Sequence, residues 1–139
     1  MYDAVELEKP DMAFHLGDCI GDAQDLSSAF PMLDLCYVPG NCDYCTSVPA
    51  SLLQEAGGVR IFLTHGHLFG VKSGLDTLTA AAKDMGAQLI LFGHTHQALL
   101  EERNGVTLLN PGAAGRFGRS SYAVVELENG KFSCWLQSE

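Results

Sequence analysis

The chain has 139 residues, of which 47% are apolar, and this length and composition suit one domain with its own hydrophobic core. Seventeen acidic residues against eight basic ones give a formal net charge of −9, which argues against sequence-independent binding to nucleic acid. No run of eighteen apolar residues predicts a membrane-spanning helix, and the polar, acidic N-terminus does not have the pattern of a signal peptide.

The first two thirds of the chain are predicted to alternate between helix and strand. Helices are expected over 2–9, 22–30 and 75–85, with Gly86 as a C-terminal cap, and strands over 12–16, 33–38, 59–64 and 89–92. Residues 44–58 are predicted to be irregular, with one helical turn at 51–55. This alternation is typical of an α/β domain.

The last third is predicted to consist of strands only. Asn104-Gly105 lies between the predicted strands 98–103 and 106–109, and Glu128-Asn129-Gly130 lies between the predicted strands 122–127 and 131–136, so two hairpins are expected. The whole pattern predicts a single domain over 1–139 of class α/β (α+β in some classifications), with two packed sheets and helices outside.

Four of the predicted strands end in a cluster of polar residues. These clusters are Gly17-Asp18, Gly40-Asn41-Cys42-Asp43, His65-Gly66-His67 and Gly93-His94-Thr95-His96. Because ligands of open α/β sheets bind outside the carboxyl ends of the strands, the four clusters are expected to converge on one place.

The residue types in these clusters suit a divalent cation. Carboxylate, amide oxygen and imidazole are ligands for Mn²⁺, Fe²⁺, Zn²⁺, Co²⁺ or Ni²⁺. A single aspartate after a glycine is usually a turn residue, and a single histidine is usually packed or exposed, but four clusters at equivalent strand ends favour a metal site. His15 lies inside an apolar strand and is interpreted as structural.

These motifs, in this order, resemble those of the calcineurin-like metallophosphoesterases, and among them the small phosphodiesterases of the YfcE type. The GNCD at 40–43 and the GHTH at 93–96 are the most specific parts, and Asn110-Pro111-Gly112 matches a further loop of that group. The resemblance covers nearly the whole chain. It implies a four-layer sandwich of two mixed β-sheets flanked by helices, which acts as a hydrolase on a small phosphorylated substrate.

The resemblance also implies a role for each matching residue. In the family, the residue matching Asp18 bridges two metal ions, those matching Asn41, His65 and His94 complete the shell of one ion, and the one matching His96 binds the other. A hydroxide between the two ions attacks phosphorus in line. Mn²⁺ is the ion expected here.

Two further residues of the clusters, Asp43 and His67, are expected to take part in catalysis. Asp43 is expected to orient a ligand, and His67 to contact the substrate phosphate. Many phosphomonoesterases of the superfamily carry a histidine that protonates the leaving group where this chain has Cys42. Because a thiol is a poor general acid, the sequence favours a phosphodiester or a good leaving group. Arg116 and Arg119 are candidates for a phosphate contact.

The family's first strand, which ends in Asp-x-His and supplies two metal ligands, has no counterpart in this sequence. A shortened fragment, a misassigned start codon or loss in evolution would each explain this. Because only Asp18 and His96 remain for one of the two ions, we expect one tightly bound cation, a second bound weakly or not at all, and impaired activity. The absent strand would leave an open sheet edge, so a homo-oligomer is expected.

Two alternatives to an enzyme stay open at this point. The first is a non-catalytic scaffold or binding module on the same fold, for which the relative in eukaryotic retromer is a precedent. The second is a redox or zinc-knuckle protein that uses Cys42 and Cys45, although no second CxxC follows. The odd count of five cysteines forms no disulfide framework, so reduced thiols and a cytoplasmic location are expected.

Overall fold

A computed structural model of the chain describes residues 1–18, 20–41, 43, 49–113 and 120–138. The helices in this part are α1 (Tyr2–Glu8), α2 (Ile20–Ala29) and α3 (Asp76–Asp84), and a short 3₁₀ turn spans His67–Phe69. The strands are β1 (Met12–His15), β2 (Asp34–Tyr37), β3 (Ser51–Ala56), β4 (Val59–Thr64), β5 (Leu89–Leu91), β6 (Leu99–Arg103), β7 (Val106–Asn110), β8 (Ser121–Glu128) and β9 (Lys131–Ser138).

A five-stranded mixed sheet forms the centre of the fold, in the order β3-β4-β5-β7-β6. Strands β4, β5 and β7 run parallel, whereas β3 and β6 pair antiparallel at the two edges. Side chains of the parallel strands alternate between the two faces, so Phe62, Ile90 and Leu108 belong to one core cluster and their neighbours to another. The three parallel strands are therefore buried on both faces.

Helix α3 covers the first face of this sheet. Its apolar residues Leu78 and Ala82 are fully buried against the cluster of Phe62, Ile90 and Leu108. The helix has Asp76 in its first turn and Lys83 in its last, which suits the helix dipole. Gly86 follows the helix with φ 74°, as the predicted C-terminal cap requires.

Two two-stranded sheets cover the second face. Strands β1 and β2 pair in parallel, and β8 and β9 form an antiparallel hairpin. Phe14 of the first pair, together with Val125 and Phe132 of the second, packs against the core cluster on this face, and α2 lies against β2. The layers are thus helix, sheet, small sheets and helix, which confirms the predicted fold class.

The expectation for residues 44–58 is wrong where the structure describes them. Residues 51–55, predicted as a helical turn, belong to strand β3 (Ser51–Ala56), which pairs along its whole length with β4. Its residues Leu-Leu-Gln-Glu-Ala have good intrinsic helix propensity, but hydrogen bonding to a buried strand outweighs that local preference. Residues 44–48 lie outside the described part of the chain.

None of the helices in the described part of the chain has the length and hydrophobicity that a membrane crossing requires. Cys36 and Cys134 carry free thiols, and burial raises the pKa of each. Cys19, Cys42 and Cys45 lie outside the described residues, so the proposed thiol pair of Cys42 and Cys45 stays a prediction.

Candidate metal centre

Strand ends from two different sheets meet at one place on the molecule. Asp18 follows β1, Asn41 follows β2, His65 follows β4 and His94 follows β5. Strands β1 and β2 belong to a small sheet, whereas β4 and β5 belong to the central one, and each pair is parallel. The carboxyl ends of both pairs therefore deliver their side chains to the same edge.

The orientation of the His65 ring is set by a backbone group. Its Nδ1 lies 2.7 Å from the carbonyl oxygen of Leu16, and because a carbonyl only accepts, Nδ1 carries the hydrogen. The His65 side chain is only 2% exposed, and this burial lowers its pKa, so the neutral ring is favoured. Its Nε2 then presents a lone pair, which is the form that binds metal.

Three more ligand-type atoms surround that nitrogen. His65 Nε2 lies 3.0 Å from Asn41 Oδ1, 3.1 Å from His94 Nδ1 and 3.3 Å from Asp18 Oδ2. Burial and the neighbouring His65 also lower the pKa of His94. Of these four atoms only His94 Nδ1 could itself carry a hydrogen, whereas Asn41 Oδ1, Asp18 Oδ2 and His65 Nε2 offer lone pairs. A cation would satisfy all four atoms together.

The donor set fits a divalent metal ion. Among the described residues, one group of titratable side chains has its ligand atoms all within 4.8 Å of one another, and it consists of Asp18, His65 and His94. Together with the amide oxygen of Asn41 they supply one carboxylate, one carbonyl oxygen and two imidazole nitrogens. This mixture of oxygen and nitrogen is typical of Mn²⁺, Fe²⁺ or Zn²⁺ sites.

His96 lies at the rim of this cluster. Its Nε2 is 3.8 Å from the same Asp18 oxygen, Oδ2, and its side chain is 67% exposed. The ring therefore faces Asp18 from the solvent side, and His96 is not part of a group of three ligand-type side chains within the described residues.

The backbone that carries the cluster is held in an uncommon conformation. Asp18 has φ 54°, His94 has φ 67° and His96 has φ 58°, so all three adopt the left-handed region. Residues other than glycine rarely adopt that region, and those that do are often found at functional sites. Gly40 makes the close approach possible, because a Cβ there would collide with the carboxylate of Asp18.

Asp43 and His67, the expected catalytic residues, have different surroundings. Asp43 Oδ2 accepts a hydrogen bond of 2.9 Å from the Gly40 amide, and its own amide donates to the Gly40 carbonyl, so Asp43 closes the loop that carries Asn41. The His67 ring lies 5.4 Å from that of His65, and its buried Nδ1 has no hydrogen-bond partner among the described residues.

Sequence reasoning missed two groups that hold the cluster in place. One is the Leu16 carbonyl, which no side-chain pattern can indicate. The other is the Asn110 side chain, whose Nδ2 donates to the Gly93 carbonyl at 3.1 Å. The sequence marks Asn110 as a turn residue in a loop that matches the family, but it does not indicate this contact. Arg116 and Arg119, the candidates for a phosphate contact, lie outside the described residues.

The fold and the cluster together define an α/β sandwich with a candidate metal site. Residues 1–130 match the calcineurin-like phosphoesterase superfamily domain, and the chain belongs to this superfamily. It is 38% identical, over 123 residues, to the probable metallophosphoesterase YsnB of Bacillus subtilis; the match covers 86% of this chain and 70% of YsnB. The resemblance inferred from the motifs is confirmed, and the family implies a divalent metal.

Solved structures show the same fold. A predicted phosphoesterase from Streptococcus pneumoniae TIGR4 superposes with a TM-score of 0.76 at 28% identity, over 96% of this chain and 78% of that one. Wild-type Vps29 of Entamoeba histolytica, complexed with Zn²⁺, superposes with a TM-score of 0.78 over 99% of this chain and 87% of that one. At 18% identity, the second likeness shows the fold alone.

Proposed function

We propose that this chain is a metal-dependent phosphoesterase that hydrolyses a phosphodiester, or a phosphomonoester with a good leaving group. The observation that carries the proposal is the convergence of Asp18 Oδ2, Asn41 Oδ1 and His94 Nδ1 on His65 Nε2, within 3.3 Å. The membership of the superfamily supports the reaction class.

The proposed ligands of one ion are Asp18, Asn41, His65 and His94. A second ion would be held more weakly, by Asp18 and His96. A bound divalent cation would polarise a phosphoryl oxygen of the substrate, and it would lower the pKa of a water bound to it to near neutrality. Mn²⁺ is the proposed ion, and the mixture of oxygen and imidazole ligands without sulfur suits it, as it also suits Fe²⁺ and Zn²⁺. The Leu16 carbonyl keeps the His65 ring turned so that Nε2 faces the site.

Different roles are proposed for Asp43 and His67. Asp43 positions Asn41 through its two hydrogen bonds with Gly40. His67 is the residue proposed to contact substrate, as a hydrogen-bond partner for a phosphoryl oxygen, because its ring lies 5.4 Å from that of His65 and 6.1 Å from that of His94, beside the proposed ligands. His67→Asn is expected to lower kcat while the affinity for Mn²⁺ is retained.

The test is hydrolysis of bis(p-nitrophenyl) phosphate by the purified chain with Mn²⁺. Activity should disappear with EDTA, return with Mn²⁺, and fall at least about 100-fold in Asp18→Asn, which loses a ligand charge. Asp76→Asn is the matched control, because it removes the same charge from an exposed helix end. Faster turnover of an unactivated alkyl phosphate than of this diester would contradict the substrate class that Cys42 favours. Equal activity of Asp18→Asn and wild type would refute the mechanism.

A scaffold or binding module is the second candidate function. The observation that favours it is the fold shared with Vps29 of Entamoeba histolytica over 99% of this chain. A chain that binds Mn²⁺ stoichiometrically, yet shows no metal-dependent hydrolysis of any aryl phosphodiester or monoester, would support the scaffold over the enzyme.

We further propose that the chain, as a single domain over 1–139, forms a homo-oligomer in solution. Strands β1 and β8 each pair with one neighbour in the described structure, and an open strand edge is a ready site for pairing between chains. The cytoplasmic location inferred from the odd number of cysteines stays a prediction.

A further inference from the structure

We propose that Asn110 is a positioning residue that clamps the loop carrying His94 and His96, and that Thr95 is the second half of this clamp. The inference rests on the proposed metal centre and goes beyond it, since neither side chain is itself a ligand. It starts from Asn110, which ends β7 and is completely buried although its side chain is polar.

Every hydrogen-bonding group of the Asn110 amide is used. Nδ2 donates to the carbonyl oxygen of Gly93 at 3.1 Å and to Thr95 Oγ1 at 3.0 Å, and Oδ1 accepts from the amide of Gly112 at 2.9 Å. A buried amide with all its partners in place specifies one arrangement of the chain around it. Here that arrangement joins the end of β7 to the loop after β5.

The hydrogen bonds that Asn110 makes to Gly93 and Thr95 hold the turn that contains His94. The amide of Thr95 donates to the Gly93 carbonyl at 2.8 Å, which closes a three-residue γ-turn around His94 with φ 67°. A γ-turn with positive φ is the strained form and persists only where its surroundings hold it. Asn110 donates to the same Gly93 carbonyl and to the Thr95 side chain, so it contacts both ends of the turn.

The second bond of the clamp extends to His96. Thr95 Oγ1, which accepts from Asn110, also accepts from the amide of Gln97 at 3.3 Å, and this bond spans His96 with its φ of 58°. Thr95 therefore takes part in a hydrogen bond across each left-handed histidine: its amide donates across His94, and its Oγ1 accepts across His96. Without the clamp, the loop would relax to ordinary backbone angles and His94 Nδ1 would move away from His65 Nε2.

The experiment uses two perturbing variants and two comparison variants of the full chain. Asn110→Ala removes the buried amide, and Thr95→Val replaces the hydroxyl by a methyl group at nearly constant volume. Thr95→Ser keeps the hydroxyl. Thr79→Val makes the same change of side chain away from the site, where it removes the 2.7 Å hydrogen bond from Thr79 Oγ1 to the Leu75 carbonyl at the start of α3.

Co²⁺ affinity is measured by calorimetry, and the visible spectrum of the Co²⁺-loaded chain reports the ligand geometry. We expect Asn110→Ala and Thr95→Val to weaken Co²⁺ binding at least about tenfold and to change the spectrum. Thr95→Ser should restore the affinity that Thr95→Val loses, and Thr79→Val should bind as the wild type does. Wild-type affinity and spectrum in a folded Asn110→Ala and in Thr95→Val would overturn the clamp.

Two further outcomes stay decisive. If Asn110→Ala does not fold, the comparison of Thr95→Val with Thr95→Ser decides the proposal. If the wild-type chain binds no Co²⁺, the proposed function fails, and crystal structures of metal-free wild type and Thr95→Val decide the clamp separately. A His94 φ near 67° in the wild type that is lost in Thr95→Val supports it, and an unchanged φ overturns it.

Discussion

A single glycine controls how closely the two halves of the site approach each other. Gly40 stands before Asn41, and a Cβ on it would overlap the Asp18 carboxylate and crowd the Asp18 amide. Both groups belong to a residue already held at φ 54°, so neither is free to move without displacing the other. The absence of a side chain at residue 40 is therefore a requirement of the cluster.

Gly40→Ala is expected to weaken Mn²⁺ binding at least about tenfold, because the new methyl group displaces Asp18. Gly21→Ala is the matched control, since Gly21 lies in α2 with nothing within 4 Å of its Cβ position. The control should bind Mn²⁺ normally and gain roughly 0.4–1 kcal/mol of stability, because alanine restricts the unfolded chain more than glycine does. Calorimetry and thermal unfolding check both variants, and equal Mn²⁺ affinities in the two would contradict the argument.

The sequence indicates the ligand residues but not what holds them. Asp18, His65 and His94 each follow an apolar run that ends in glycine or threonine, so their grouping follows from the rule that strand ends converge. The part played by Asn110 does not follow, because it depends on β7 lying beside β5 in the sheet. An asparagine before proline is an ordinary turn signal, and only the tertiary neighbour turns it into a clamp.

At the level of elements, strand β3 shows how tertiary contacts override local preference. Its partner β4 is a buried run of β-branched and aromatic residues and was predictable with the bounds that the structure has. The two are joined by Gly57-Gly58, with φ of 56° and 79°, which are the angles of a tight hairpin turn. This glycine pair is the signal in the sequence that indicates a hairpin between β3 and β4.

The same glycine pair also connects two hairpins. The Gly130 amide donates to the Gly57 carbonyl at 2.7 Å, which fixes the β8–β9 turn against the β3–β4 turn. A Cβ on Gly58 would lie 2.8 Å from the Gly130 nitrogen, and a backbone atom in a turn has little room to move. The contact joins the edge of the central sheet to the layer that covers its second face.

Gly58→Ala is expected to destabilise the fold by about 1–3 kcal/mol, from the left-handed backbone and the collision with the Gly130 backbone together. Gly105→Ala is matched in conformation, with φ 82° against 79°, but nothing lies within 4 Å of its Cβ position. It should cost only the conformational part, about 1 kcal/mol. Urea unfolding of both variants measures the difference, and equal losses would show that the contact between the turns contributes nothing.

For the molecule as a whole, the cluster couples metal binding to folding. Strands β1 and β2 contribute Asp18 and Asn41, while β4 and β5 contribute the two histidines, so a bound cation would join two sheets that otherwise meet through apolar packing. Ligands this far apart in sequence come together only in the folded chain. Binding therefore adds to the free energy of unfolding by mass action.

We expect one Mn²⁺ per chain to bind tightly, since four of the proposed ligands belong to one position and only Asp18 and the exposed His96 remain for another. At a free concentration of 100 times Kd, one site contributes about 2.7 kcal/mol, which raises Tm by the order of 10 °C in a chain of this size. Calorimetry gives the stoichiometry and thermal unfolding the shift. Two tightly held ions per chain would contradict the expectation, and Asp18→Asn should show no shift.

The last prediction concerns the association of chains through strand β1, which lies on the second face of the central sheet. The backbone carbonyl of His15 accepts a hydrogen bond from the Val38 amide, so the N–H and C=O groups of His15 point towards β2. Backbone groups alternate in direction along a strand, so those of Met12 and Phe14 point to the opposite edge of β1. The described structure has no strand at that edge. Unpaired N–H and C=O groups on a strand edge recruit another strand.

Light scattering across a range of concentrations should therefore give a mass above that of one 14.9 kDa chain. Met12→Pro removes one N–H from the open edge of β1 at its first residue, where proline leaves the bonds to β2 intact, so it should shift the equilibrium towards monomer. Met12→Ala loses the same side chain but keeps the N–H, and should associate as the wild type does. A wild-type chain that stays monomeric at every concentration would show that this edge is closed to a second copy.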